Sequence, residues 1–189
     1  MKFKDALKRS IAMFDSNEFE ERIREEDATM LKQLPLLKDM NRHKFLTLDS
    51  QAGLHRRFIS VKDGKPSEIH ERAYVTGFML NKDAIEFIKN FNILTDKNAV
   101  YIPFCNNDVC VPPALDMPLT IIKQGKHTEV VTHTGFTYPT IYMEQIRKSS
   151  HINKSEPIAL VYCWDTKWNR LASGKNGLFT DVLKILKQL

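Results

Sequence analysis

The stretch that most limits how this chain can fold is Pro157-Ile-Ala-Leu-Val-Tyr-Cys-Trp-Asp165. A continuous apolar run of this length, without polar alternation, suits a strand buried on both faces. It ends abruptly at the polar segment Asp165-Thr-Lys-Trp-Asn-Arg170. A central strand of this kind organises a sheet around itself, and the rest of the chain is read against that requirement.

Helical spacing dominates the first part. Phe3, Leu7, Ile11 and Phe14 recur every three or four residues, which predicts an amphipathic helix over 2–14. Asp15-Ser16-Asn17 is a break with capping chemistry, followed by a charged helical segment over 18–34 anchored by Phe19, Ile23, Met30 and Leu34. Pro35 ends that segment or opens a further turn through Leu36, Leu37 and Met40.

From residue 44 the pattern changes to strands. Residues 44–49 read as a strand that enters a small polar loop, Asp49-Ser50-Gln51-Ala52-Gly53. Residues 54–62 form a second strand and Asp63-Gly64 a hairpin turn, with a third strand over 68–78. Asn81 stands where a helix N-cap is wanted, ahead of a stripe of Ala84, Ile85, Ile88 and Phe91. Further strands are expected over 100–104, 119–123 and 129–134, with a turn at Cys105-Asn-Asn-Asp108 and a hairpin about Gly125. A short helix over 140–148 and a final helix carrying Leu178, Val182, Ile185, Leu186 and Leu189 complete the chain. The expected class is α+β: one domain, with a helical region over 1–43 and then, over 44–189, a largely antiparallel or mixed sheet. Covering helices, including the C-terminal one, pack on that sheet. Residues 44–78 lack the strand–helix alternation of a doubly wound parallel sheet.

Bulk properties narrow the function classes. At 189 residues, 42% hydrophobic and 27% charged, the chain fits one globular domain. No apolar run approaches the roughly 18 residues of a membrane span, and the first ten residues lack a secretory apolar region, so the expected location is cytoplasmic and no membrane partner is implied. Three cysteines do not make a disulfide framework. Cys105 and Cys110 find no further Cys or His to complete a four-ligand metal set. The net charge of +5 permits contact with nucleic acid, but the basic residues are scattered among acids, and Arg56-Arg57 is the densest cluster.

Familiar catalytic motifs are missing: no phosphate-binding or dinucleotide glycine loop, no His-Glu-x-x-His, no Gly-x-Ser-x-Gly. No cofactor is implied. His127 and His133 flank a strand at even spacing, yet a third metal ligand is not visible, so no metal site is assigned. Two features remain. The loop containing Ser50 and Gln51 can present hydroxyl, amide and backbone N–H groups to a ligand, or simply cap its own turn. Asp165, at the end of the most buried strand, is placed for a perturbed carboxylate or a structural ion pair, and Arg72 is its natural partner type.

Asn41, Arg42, Phe45, Thr47, Ser50, Gln51 and Gly53, then Arg72, Ala73, Val75, Gly77 and Phe78, then Asp165 and Trp168 occur in the order Asn-Arg-x-x-Phe-x-Thr-x-x-Ser-Gln-Pro-Gly, Arg-Ala-x-Val-x-Gly-Phe, Asp-x-x-Trp. In this the chain resembles a mainly actinobacterial family, a domain of unknown function, over roughly residues 36–80 and 158–186. Ala52 stands in place of that family's proline. The resemblance implies no activity.

Two functional expectations follow. One is an enzyme or binding domain for a small anionic ligand, with Arg72 holding the anion and Asp165 as base or orienter. Ser50, Gln51 and Tyr74 would complete that pocket. The other is a non-catalytic module that binds protein or nucleic acid through a basic surface.

Overall fold

The computed structural model describes residues 1–104, 117–133 and 140–189. Three helices lead: α1 (Phe3–Phe14), α2 (Asn17–Asp27) and, after a 3₁₀ stretch over Ala28–Gln33, α3 (Leu34–Arg42). Ser16 caps α2, its hydroxyl accepting a hydrogen bond from the Phe19 N–H, and Pro35 sits in the first turn of α3, where its missing N–H costs nothing.

Strands β1 (Leu46–Gln51), β2 (His55–Ile59), β3 (Pro66–Glu71) and β4 (Tyr74–Leu80) precede α4 (Asn81–Leu94) and β5 (Asn98–Pro103). Then come β6 (Pro118–Gln124), β7 (His127–His133), α5 (Thr140–Ser149), β8 (Ile158–Trp164) and α6 (Leu178–Leu186). The class is α+β, and the strands separate into two four-stranded sheets, ordered β1-β4-β8-β5 and β2-β3-β6-β7. Every pairing between them is antiparallel.

The apolar run occupies the interior position its composition demands. β8 is buried at every residue and lies between β4 and β5. Its alternate side chains feed two cores. Val161 and Cys163 pack with Val75, Met79, Phe87, Phe91, Phe179 and Val182 under α4 and α6. Leu160, Tyr162 and Trp164 pack on the opposite face with Phe3, Leu7, Phe78 and Ile102. Each fully buried aromatic or aliphatic side chain contributes about 1.5–3 kcal/mol relative to exposure. Burial raises the Cys163 thiol well above its ordinary range, as expected of a core residue shielded from water.

Four expectations need correction. The single strand over 68–78 is two: the chain leaves the second sheet at Glu71, turns through Arg72 and Ala73, and enters the first sheet at Tyr74. The polar loop expected from Asp49 begins later, because β1 continues through Ser50 and Gln51, whose register partners are Val75 and Tyr74. The strand expected over 54–62 ends at Ile59, and the hairpin expected at Asp63-Gly64 follows it, with Ile59 opposite Pro66 and the Ser60 N–H donating to the Lys65 carbonyl. Asn81 is the first helical residue of α4 rather than its cap, and its Oδ1 is buried without a hydrogen-bond partner among the described residues. The turn expected at Cys105, and Cys110 with it, lies outside the described residues.

No helix among the described residues is long and apolar enough to cross a membrane.

Candidate ligand-binding site

The point where the chain passes between sheets is also where the segment after β8 closes over it. The Asp165 N–H donates to the Ala73 carbonyl at 2.9 Å, Asn169 N–H to the Glu71 carbonyl at 2.8 Å, and Ala172 N–H to the Ala52 carbonyl at 2.8 Å. Gly53 fits beneath this segment with φ +74°; a Cβ there would lie 2.6 Å from the Arg170 carbonyl oxygen and 2.8 Å from the Ala73 nitrogen. Gln51, Arg72 and Asp165, remote in sequence, therefore meet at one end of the first sheet.

Their side chains do different work. Gln51 Nε2 donates to the Arg72 carbonyl at 3.0 Å, and its Oε1 accepts from the Thr120 hydroxyl at 3.3 Å, so Gln51 links the two sheets. Arg72, half-buried, donates through NH1 to the carbonyls of Thr166 and Asp165, and its guanidinium lies 4.3 Å from the centre of the Trp168 ring. Burial pushes the Arg72 pKa down, and the Asp165 charge only partly opposes this. Arg72 Nε is buried and has no hydrogen-bond partner among the described residues.

Asp165 does not pair with the Arg72 guanidinium. Its fully buried carboxylate is taken by Arg170, through Nε at 2.6 Å and NH2, and also accepts the Lys167 N–H at 2.8 Å. Arg170 in turn contacts Asp96 through NH1 at 2.8 Å and NH2 at 3.1 Å. The buried Lys97 ammonium joins Asp96 to Asp181 at the start of α6. The hydrogen bonds that Arg170 donates to Asp165 push its pKa upward, with those to Asp96 adding to the effect. Those from Arg170, then Lys97, hold the Asp96 carboxyl far below its usual range. With Lys167 Nζ 3.1 Å from Asp96, three carboxylates and three cations tie the end of β8, the start of β5 and α6 into one network. A carboxylate held in this way is poorly placed to accept a substrate proton.

Ser50 and Tyr74 point elsewhere. Ser50 lines a cavity of about 350 Å³ between β1 and the leading helices, with Phe14, Phe19, Ile23, Met30 and Leu37 supplying apolar walls. Tyr74 stacks on Tyr162 at 5.7 Å, and its hydroxyl donates to Asp49 Oδ2 at 2.8 Å. The structure brings Gln51, Arg72 and Asp165 together and turns Ser50 and Tyr74 away from that point. His127 and His133 stand at the two ends of β7.

Arg170, Asp96 and Lys97 were not legible as partners of Asp165. Arg170 closes the same short segment and is the one available local signal; Asp96 and Lys97 arrive from a distant loop. Compared with protein-family models and with curated proteins, the chain matches none.

Proposed function

We propose that this protein is a binding domain for a small anionic molecule bearing a carboxylate or phosphate, held by Arg72. The observation that carries the reading is a half-buried guanidinium whose contacts are carbonyl oxygens and the face of Trp168, with no carboxylate touching it among the described residues. Carbonyl dipoles orient a guanidinium without neutralising it, and a partly desolvated cation gains most from a bidentate anion. Stacking on Trp168 holds the planar fork and supplies an apolar wall. Asp165 serves in this reading as the anchor of the enclosing segment, not as a base.

The same charge distribution disfavours a broad basic interface as the main role. Arg57 contacts Glu68 at 2.9 Å and Arg56 lies 3.9 Å from Glu71, so the densest basic pair is partnered by acids. The sequence blocks that carry the resemblance contribute Gln51, Arg72, Asp165 and Trp168 to this site.

Tryptophan emission tests the proposal. Titration with inorganic phosphate and with succinate is expected to give a saturable change that Trp168→Phe removes and Arg72→Gln abolishes. Arg72→Lys keeps the charge but loses the fork, and should bind more weakly than the parent chain. Emission indifferent to both anions, or a response that survives Arg72→Gln, would sink the reading.

A further inference from the structure

A second constellation lies on the other sheet and uses neither Arg72 nor the residues that contact its guanidinium. β2 and β3 pair so that His55 stands directly opposite His70. Glu68 precedes His70 by two residues on the same strand and therefore projects from the same face. The two imidazoles stack with centroids 4.7 Å apart and planes 21° from parallel. Glu68 Oε2 lies 3.4 Å from His55 Nε2 and 3.3 Å from His70 Nε2, and one ligand atom from each of the three residues falls within 4.8 Å of the others.

These separations match the edges of a coordination polyhedron. A tetrahedral ion with bonds of about 2.0–2.1 Å holds its ligand atoms about 3.3–3.5 Å apart. Both carboxylate–imidazole edges already have that length. The remaining edge closes by rotation of His55, the more exposed of the two rings. We propose that His55, Glu68 and His70 bind one divalent cation of the zinc class, with the fourth position open to solvent. Two imidazoles and one carboxylate favour such an ion over magnesium or calcium, which take oxygen sets.

Three further features prepare the cluster. His70 Nε2 is buried and has no hydrogen-bond partner among the described residues, since its 3.3 Å approach to Glu68 lacks hydrogen-bond geometry. On its far side the ring is held by Asn169, whose Nδ2 donates to His70 Nδ1 at 2.9 Å. Half a turn of that amide fills the same space, presents its oxygen to an Nδ1–H, and leaves Nε2 as the lone pair a metal needs. Asn169 is itself fixed, in the left-handed region at φ 61° with its N–H on the Glu71 carbonyl. Arg57 Nε donates to Glu68 Oε1 at 2.9 Å, leaving Oε2 directed at the histidines.

The test is a zinc titration of chelator-treated protein against a competing chromophoric chelator, paired with cobalt(II) substitution. One equivalent of zinc and the visible d–d bands of four-coordinate cobalt are expected. His55→Ala and His70→Ala should each weaken zinc by more than about 100-fold, beyond the roughly 10–100-fold expected for the supporting Asn169→Ala. Glu68→Gln keeps the side-chain shape and should also lose the ion while unfolding at the parent denaturant concentration. His127→Ala should bind as the parent does. Substoichiometric zinc, or an affinity that His55→Ala and Glu68→Gln both leave unchanged, overturns the proposal. Trp168 emission in phosphate reads the Arg72 site alone, so failure of either proposal leaves the other measurable.

Discussion

The two sheets use the same pair of charges to opposite ends. In the first, Arg170 meets Asp165 where the carboxylate is fully buried, and the pair continues into Asp96, Lys97 and Asp181. In the second, Arg57 meets Glu68 on an edge strand whose residues are all exposed. Water screens the second pair and is excluded from one side of the first. A guanidinium–carboxylate contact is thus a lock where its partner is dry and an adjustable support where it is wet. The rigid sheet carries the stacked Arg72 beside it, whereas the hydrated sheet carries the stacked pair His55 and His70.

The sharpest way to break this comparison is to remove one guanidinium from each side. Arg170→Ala leaves the Asp165 carboxylate buried without its cation and is expected to cost about 3–5 kcal/mol in urea unfolding. Arg57→Ala should cost about 0.2–1 kcal/mol. Equal losses would show that the environments do not differ as described.

Glycine offers a second contrast. Gly53 and Gly64 both have positive φ, but a Cβ at Gly53 meets backbone at 2.6 Å and one at Gly64 meets nothing within 4 Å. Gly53→Ala combines conformational strain with a backbone clash and should cost more than about 2 kcal/mol, against about 1–2 kcal/mol at Gly64 from strain alone. Thermal unfolding of the two variants orders them directly, and a milder effect at Gly53 would mean the segment after β8 yields easily.

A smaller effect lies in pH. The Asp96 carboxyl is held below its ordinary value of 3.8 chiefly by Arg170. A group depressed on folding stabilises the fold above its unfolded pKa, and that contribution is lost as pH falls through the folded value. Stability should therefore decline as the medium is acidified below the ordinary carboxylate range, and Asp96→Asn should flatten that part of the curve. An unchanged acid limb in Asp96→Asn would place the sensitivity elsewhere.

How much of this was legible in the sequence depended on whether a feature is local. β8 was readable because seven-residue apolar continuity has few other solutions, and α1 because Phe3, Leu7, Ile11 and Phe14 share one face. The division into two sheets was not, since Arg72 and Ala73 carry no glycine or proline to mark a corner. The extension of β1 through Ser50 and Gln51 was hidden because polar residues on an edge strand look like a loop. Register was the deeper obstacle. A two-residue turn at Asp63-Gly64 would set Arg57 opposite His70, whereas the wider loop sets His55 there. That shift of two residues keeps every side chain on its face but changes its neighbour, which is why the His55–Glu68–His70 cluster could not be seen beforehand. Likewise, Arg170 rather than Arg72 claimed Asp165 because of where a distant loop delivers Asp96.

The order β1-β4-β8-β5 also sets a sequence of events in time. During synthesis, β4 and β5 emerge well before the strand that belongs between them, and each presents an unpaired inner edge until β8 arrives. The β2–β3 and β6–β7 hairpins close over short separations and can form as the chain appears. We expect pulse-labelled hydrogen exchange during refolding to protect Ile121 and Val130 before Val161, with the insertion of β8 as the late, slow step. Protection of Val161 first would reverse that order. The residues that make the finished molecule most stable are, on this topology, those whose absence leaves the nascent chain most open to association with its own copies.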